Sequence, residues 1–386
     1  MQRSTQGHFR KVGQAAERYS IFLPPALPPT PALAQDSNLS KTLSSADQML
    51  GRLDGLSRIL PHPDLLIHFY IRKEAVLSSQ IEGTQSTLSE LLLYEIEPSR
   101  GANGDVVDVS NYVRAMRHGL SRLREQFPLS LRLIREMHGM LLERGRGSGQ
   151  TPGEFRTSQN WIGGSRPGNA AFVPPPVKEM QDALHALEIF VHTGATEFPA
   201  LIQCALIHLQ FESIHPFLDG NGRIGRLLIT LLLVERGVLV QPMLYMSLYL
   251  KQNRETYYRL LQSVRVDGDW EQWILFFLEG VRLTAQRAVE LATNVLELFR
   301  RDETRMIALR GRRGSALRVL SHMQRAPYFT TASVKEKTGL SYNTVLTVVE
   351  TFIEMGILKE EPAWGRGRLF QYKRYLELLE EGTHLK

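Results

Sequence analysis

Apolar residues recur at three-to-four residue intervals along most of this chain, a period that predicts a mainly helical protein. Met49-Leu53-Leu56-Leu60 and Leu65-Ile67-Ile71 follow that spacing and predict helices over Leu39–Gly51 and Pro63–Glu82. Further helices are expected near residues 108–126, 130–143, 176–192, 197–213, 222–236, 251–265 and 269–301, with Gly, Pro and polar clusters between them. Two stretches break the pattern. Residues 21–31, Ile-Phe-Leu-Pro-Pro-Ala-Leu-Pro-Pro-Thr-Pro, cannot be helical, because proline removes donors and fixes φ. An extended arm lying on the body is expected there. Phe155–Pro176 sets two short apolar runs around a Gly/Pro turn, which predicts a β-hairpin in an otherwise helical region.

The pattern changes again after the basic linker Leu309–Gly314. Ser315–Gln324, Thr331–Thr338 and Ser341–Met355 read as three helices, with Ser341 placed to cap the last and Gly356 to end it. Ile357–Lys359 and Leu369–Lys373 are expected to pair across Pro362–Arg368. Helix, helix-turn-helix, hairpin is the order of a winged helix.

Composition narrows the class. A chain of 386 residues suggests two or three domains, and 43% hydrophobic with 22% charged residues is ordinary for a globular core. The single cysteine, Cys204, excludes an internal disulfide and fits a reducing compartment. Met1–Ser20 has no apolar stretch of a secretory signal, and the most apolar window, Leu227–Val234, is far shorter than the roughly 20 residues of a membrane span. A cytoplasmic protein with no membrane association is expected. The formal net charge is +6, with local excess at Arg310, Arg312 and Arg313 and at Arg366, Arg368, Lys373 and Arg374. Such a mild excess is a weak signal for nucleic acid, since most such charges are simply solvated.

The candidate chemistry lies in one loop. An apolar helix, Leu201–Ile214, leads into His215, and Pro216 breaks it. Gly220-Asn221-Gly222 follows, and a new helix runs Arg223–Arg236. Glycines let backbone N–H groups approach an anion, and a helix N-terminus adds free donors and a positive dipole end. Arg223 and Arg226 lie three apart, so both reach the same anion from one face. Asp219 stands beside this nest, where a carboxylate next to phosphates needs Mg²⁺ between them. His215 is placed as a general base. Each piece alone is common turn and cap chemistry; their joint occurrence is not. No Gly-Lys-Ser/Thr follows, so this is not a P-loop.

His215-Pro-Phe-Leu-Asp-Gly-Asn-Gly-Arg-Ile-Gly-Arg226 resembles the motif of the Fic family, His-x-Phe-x-(Asp/Glu)-Gly-Asn-Gly-Arg-x-x-Arg, at every fixed position. Leu65–Thr84 looks like the Fic N-terminal region, and the tail looks like the winged helix behind some Fic domains. The resemblance implies a mainly α fold: a Fic-type helical core with a β-hairpin flap plus a C-terminal winged helix. It divides the chain into an N-terminal region (1–107), a catalytic core (108–308) and the tail (309–386). It implies a protein adenylyltransferase that moves AMP from ATP, with Mg²⁺, onto Ser, Thr or Tyr hydroxyls of other proteins and of itself. His215 would be the base, Phe217 would pack into the core, and Asp219 would bind Mg²⁺. Gly220, Asn221, Gly222, Arg223, Ile224, Gly225 and Arg226 would form the nucleotide-binding run, Asn221 with side-chain as well as backbone donors, and Arg226 would reach the γ-phosphate. Asn253 and Tyr257 would lie near the nucleoside, with core packing an equal reading of Tyr257. The hairpin would be a flap that docks a target strand, with Ile162 and Phe172 as clamps or as ordinary hairpin packing.

Ser78-x-x-x-Glu82-Gly83 matches the family's inhibitory motif, (Ser/Thr)-x-x-x-Glu-(Gly/Asn). Ser78 and Glu82 share a helix face, and Gly83 ends the helix. The resemblance implies that Glu82 pairs with Arg226 and misaligns ATP; Glu82 as a plain surface carboxylate is the rival reading, and a role in removing AMP stands beside inhibition. In the tail, Tyr342, Asn343 and Thr344 are placed to meet DNA bases and Gly365–Arg368 to meet phosphates, while Glu350, Glu354, Glu360 and Glu361 oppose this. DNA binding and protein contact, homodimer formation included, are equal readings. A DNA-binding regulator whose Fic core senses nucleotide, and transfer of a phosphate or UMP group, are the rival functions.

Overall fold

The computed structural model describes residues 7–13, 18–34, 36–59, 63–98, 103–361 and 368–383. No described helix is long and apolar enough to cross a membrane. Helices dominate. The first, α1, runs Ser37–Ile59, and α2 runs Pro63–Ile81. After them come α3 (Leu88–Ile96), α4 (Gly104–Arg124), α5 (Leu131–Leu141), α6 (Val177–Thr193), α7 (Ala200–Ile214) and α8 (Asn221–Glu235). Then α9 (Ser247–Gln252), α10 (Arg254–Asp267) and α11 (Trp270–Ile307) complete the body.

The central element is α7. Every residue from Leu201 to Ile214 is buried. A helix buried on all sides must be surrounded, and it is. Antiparallel to it lies α8, buried from Ile224 to Leu233; α4, α5, α6, α10 and α11 pack around this pair. The longest helix, α11, has 38 residues and so extends about 57 Å at 1.5 Å per residue. Against it packs α1. Local caps set several starts. Thr87 and Glu90 form a reciprocal capping box on α3, and Asn103 and Ser130 cap α4 and α5 through their side-chain oxygens.

Two features depart from the expectation. The N-terminal arm is preceded by an antiparallel hairpin, β1 (His8–Val12) with β2 (Tyr19–Leu23). Its second strand continues onto the 155–176 segment, where Phe22 N–H donates to Val173 O at 2.9 Å. That segment holds no paired strands. It closes on a single antiparallel bridge, Ile162 with Phe172, around a short 3₁₀ turn at Pro167–Asn169. Pro174, Pro175 and Pro176 cannot donate to a ladder, and Gly163 and Gly164 sit at φ +70°, so the pairing stops after one bridge.

The tail comprises α12 (Arg313–Arg325), β3 (Tyr328–Thr330), α13 (Thr331–Thr338), α14 (Tyr342–Glu354), β4 (Leu358–Glu361), β5 (Leu369–Tyr372) and α15 (Lys373–Glu380). The strands form one antiparallel sheet in the order β3-β5-β4. Ser341 caps α14 by accepting from Thr344 N–H at 3.2 Å, and Gly356 follows its end at φ +70°. The Pro362–Gly367 part of the expected wing lies outside the described residues. From its C-terminal end the tail returns to the body. Tyr372 OH donates to the buried Asp302 of α11 at 2.6 Å, and Phe69 of α2 packs edge-on to Tyr375.

Candidate active site

At the end of α7 the chain turns sharply, because His215 takes a left-handed conformation, φ 49° and ψ 61°. A residue with a Cβ pays on the order of 1–2 kcal/mol for that region, so the turn needs support. Arg156 supplies it. Its buried guanidinium donates from Nε to His215 O at 3.1 Å and also to Ser158 O and Pro175 O, and its backbone N–H donates to Pro216 O at 2.9 Å. Asn160 Nδ2 donates to Phe217 O at 2.8 Å. The flap base and the loop are therefore one hydrogen-bonded unit.

Phe217 is fully buried and stacks on His138, ring centroids 3.7 Å apart. His138 Nδ1 accepts Gly153 N–H at 2.9 Å, which leaves Nε2 to donate to Asp219 O at 3.0 Å. Burial lowers its pKa to about 4, so the ring is neutral near pH 7. The Asn221 side chain closes the loop on itself: Oδ1 accepts Phe217 N–H and Nδ2 donates to Phe217 O, both at 2.8 Å. The amide thereby braces the loop, with one of its two Nδ2 hydrogens left over.

Gly220, at φ 81°, precedes α8 as its N-cap, and its N–H donates to Asp219 Oδ1 at 2.6 Å. The N–H groups of Asn221, Gly222 and Arg223 have no intrahelical acceptor and point from the helix start. Ile224 is spoken for: its N–H donates to Gly220 O at 3.0 Å and its side chain is in the core. Gly225 lies against Phe211 and the Glu212 carboxylate, where any side chain would collide. These two positions, expected in the nucleotide-binding run, hold the loop from behind.

Arg223 is 3% exposed, its Nε has no hydrogen-bond partner, and its nearest counter-charge is Asp219 Oδ1 at 3.6 Å. A buried guanidinium with so weak a partner is poised for a further anion. Asp219 is about one-third exposed, and Gly147 at φ +82° leaves it the room that a side chain would take. No cluster of three metal-ligating side chains occurs among the described residues. One carboxylate beside a phosphate nest still suits Mg²⁺, which takes its remaining ligands from phosphates and water.

His215 is half-buried, and its Nδ1 is buried without a well-aligned hydrogen bond, so Nε2 is the nitrogen on the open side. Burial, then the charges of Arg265 and Arg156, lower its pKa to about 3. The imidazole is neutral and able to accept a proton.

Arg226 is 1% exposed and faces α2. Its Nε donates to Ser78 Oγ at 2.8 Å, and one Nη donates to Ser78 O at 3.0 Å and to Glu82 Oε1 at 2.6 Å. Burial raises the Glu82 carboxyl, but the Arg226 charge and hydrogen bond, with Arg223 and His215 beyond, bring it below its ordinary value. The same carboxylate lies against the Gly222 backbone, where a side chain would strike it. It therefore covers the open start of α8. Gly83 ends α2 at φ 97°, and Arg146 fixes the turn by donating to Glu82 O at 3.0 Å.

Asn253 joins α9 to α10, half-buried, with its Nδ2 donating to Tyr249 O at 3.0 Å. Tyr257 is 1% exposed, its OH meets His208 Nε2 at 3.0 Å, and Trp273 and Tyr258 flank its ring. It has no open face to stack on a base, which agrees with the core-packing reading of Tyr257; the exposed ring beside it is Tyr258. Phe172 follows the packing reading. It is 5% exposed, Arg265 lies 3.7 Å over its ring, and Phe22 packs on it, so it anchors the flap. Ile162 is half-buried and Trp161 is exposed at the flap's edge. Arg265 in turn holds the end of α7 through Ser213 Oγ and Glu212 O, both at 3.1 Å. Arg156, Asn160, His138, Arg146 and Arg265 carry no motif and are found only through these contacts.

Residues 40–121 match the family described as Fic/DOC family N-terminal, and residues 128–233 match the Fic/DOC family. Among curated proteins, the chain is 28% identical over 209 residues to Protein adenylyltransferase Fic of Drosophila virilis and to that of Drosophila grimshawi. These alignments take in 53% of this chain and 40% of each fly protein, so the chain spans less than half the length of these relatives. Among solved structures, a Fic family protein from Desulfovibrio desulfuricans G20 matches with a TM-score of 0.58 at 18% identity, covering 89% of this chain and 98% of that one. A Fic domain containing signaling protein from Bacteroides thetaiotaomicron matches with a TM-score of 0.50 at 19% identity, covering 66% of this chain and 95% of that one.

Proposed function

This chain belongs to the Fic family, and from that premise we propose that it transfers AMP from ATP to a Ser, Thr or Tyr hydroxyl of a protein, itself included. The hydroxyl oxygen attacks the α-phosphorus as the bond to the β-phosphate breaks. The neutral His215 takes the hydroxyl proton, and pyrophosphate leaves. The N–H groups of Asn221 and Gly222 and the guanidinium of Arg223 receive the phosphate oxygens, so the loop contributes position and charge neutralisation. Asp219 would hold Mg²⁺, which would supply charge neutralisation on the phosphates. Tyr258 offers the nucleoside a ring face, and the flap edge at Trp161 and Ile162 receives the target segment.

One observation carries this reading: a neutral, half-open imidazole shares a loop with a helix start and a buried arginine that lacks an adequate counter-ion. A nucleotide sensor has no need of a base there. Glu82 acts as a brake, holding Arg226 away from the γ-phosphate. The partial exposure of Glu82, 35%, supports a second reading in which it also positions water to remove AMP. Residues 1–107 form the inhibitory region, 108–308 the catalytic core, and 309–386 a winged helix that contacts DNA or protein. Intact mass after ATP and Mg²⁺ treatment tests the transfer. A gain of one AMP by Glu82→Gly but not by Glu82→Gly/His215→Ala supports it; a gain of a different group, or an equal gain without His215, overturns it.

A further inference from the structure

A cavity of about 350 Å³ lies on the side of α2 away from the loop, between α9, α11 and the C-terminal segment after α15. Its floor is Lys73, Tyr245 and Leu248, all nearly buried, and Leu378 adds an apolar wall. Lys73 is only 3% exposed. It forms no ion pair and no hydrogen bond among the described residues, and its one close feature is the Tyr245 ring, 5.0 Å from the ammonium to the centroid. Its Nζ is not among the fully buried polar atoms, so the three donors of the ammonium open into the cavity and call for an acceptor there. Burial lowers its pKa to about 8, with Glu381 opposing that shift and Arg287 adding to it.

The rest of the lining says what would answer that demand. Arg287 stands at the rim with its guanidinium donating to Gln252 at 2.7 Å, and Asn294 adds a second amide. Lys73 and Arg287 thus bring two positive charges to one cavity, whose lining also holds the amides of Gln252 and Asn294 and apolar side chains. Two carboxylates, Glu290 and Glu381, share the rim, and Glu290 accepts from Gln286 at 2.9 Å. They disfavour a polyanion such as a nucleoside triphosphate or a nucleic acid.

We propose that this cavity is a binding site for a small molecule carrying one compact oxyanion, a carboxylate or a phosphate, set against Lys73 and Arg287 with its body on Tyr245, Leu248 and Leu378. The site stands apart from the transfer reaction and does not depend on it. It touches the brake all the same. Lys73 is on the same helix as Ser78 and Glu82, and that helix is tied to the opposite wall. Gln80 Nε2 donates to Ser86 O at 3.0 Å and to Thr383 O at 3.1 Å, and Lys251 Nζ donates to Gln80 Oε1 at 2.7 Å. An occupant between Lys73 and the 381–382 segment adds to these ties and steadies α2.

The test is equilibrium binding of benzoate, inorganic phosphate and the uncharged benzamide to the full chain at fixed ionic strength. Wild type is compared with Lys73→Met, which keeps the stem and removes the charge, with Lys73→Arg, which keeps a cation, and with Arg223→Ala, which disables the loop as an anion site. Saturable binding of benzoate or phosphate, absent for benzamide, weakened about tenfold or more in Lys73→Met and retained in Lys73→Arg and Arg223→Ala, is the expected result. Amide exchange over α2 slows when the probe is bound. No saturable binding of either anion to wild type overturns the proposal. So does binding that survives in Lys73→Met but is lost in Arg223→Ala, since the anion then belongs to the catalytic loop.

Discussion

Arg226 and Glu82, 144 positions apart in sequence, are joined at 2.6 Å, and the arginine is almost wholly buried in making that contact. Ser78 takes two further donors of the same guanidinium, so α2 occupies most of that side chain's hydrogen-bonding capacity. Removing a carboxylate from such a pair leaves a buried charge in search of a partner. ATP can provide one. Glu82→Gly is therefore expected to raise automodification by about tenfold or more, the scale of a coupling energy of 1–3 kcal/mol. Ser78→Ala leaves the ion pair and gives a smaller gain. Labelled-ATP incorporation measures both, and equal rates in wild type and Glu82→Gly would remove the brake.

Acid sensitivity follows from the buried titratable groups. His138 and His208 have pKa values lowered to about 4 and His215 to about 3, while Glu74 and Glu212 are raised to about 7, all chiefly by burial. Between about pH 4.5 and 6.5 the unfolded chain protonates the three histidines and the native chain does not. Over the same range the native chain keeps the two carboxyls protonated and the unfolded chain does not. The unfolded state then holds a net excess of one proton, so stability falls on acidification, on the order of 1 kcal/mol per pH unit from these groups. The lowered pKa of Glu82 acts in the same direction. Melting temperatures at pH 6.5 and 5.0 check this; a higher value at pH 5.0 contradicts the assignment of neutral histidines.

Local chemistry was the legible part of this molecule. The helix–turn–helix path from His215 to Arg226, the cap at Ser341 and the break at Gly356 each follow from residues a few positions apart. The α3 cap was equally local, since Thr87-x-x-Glu90 ahead of an apolar run signals a helix start, but nine residues give too few repeats for the periodicity to stand out. What escaped is non-local. Arg156 and His138 support the loop across 59 and 81 positions. Helical period says that Tyr257 is on a face, not whether that face meets a nucleoside or His208. The same applies to Phe172, whose burial depends on Arg265 and on a hairpin at the other end of the chain.

Phe172 ties three elements together, so its removal separates flap anchoring from chemistry. Truncation of a buried phenylalanine costs about 3–5 kcal/mol in a rigid core, and less here where the flap can relax. Phe172→Ala is expected to destabilise the protein by about 2–3 kcal/mol and to raise KM for a protein target more than it lowers the rate at saturation, because His215 and the helix start remain in place. Ile162→Ala affects KM with little loss of stability. Denaturant midpoints and target-concentration series separate the two. A Phe172→Ala protein that melts like wild type and docks targets normally contradicts the anchoring role.

The tail offers a sharper test of its two readings than its composition suggests. Arg368, the part of the expected basic wing that is described, is held in a bidentate pair by Glu360, at 2.8 and 2.7 Å, with Glu350 at 4.0 Å. An arginine so engaged has to leave two carboxylates before it can meet a phosphate, and those carboxylates repel the phosphate meanwhile. Glu360→Gln frees one side of that contest. If α14 and the wing bind DNA, the substitution strengthens a gel shift, and the affinity keeps a steep dependence on salt because each phosphate contact releases counterions. If the tail contacts protein, Glu360→Gln leaves DNA affinity at the background set by net charge and alters the oligomer or partner complex instead. Tyr342, half exposed at the start of α14, separates the cases further. Tyr342→Ala lowers sequence preference under the first reading and has no effect on any DNA sequence under the second.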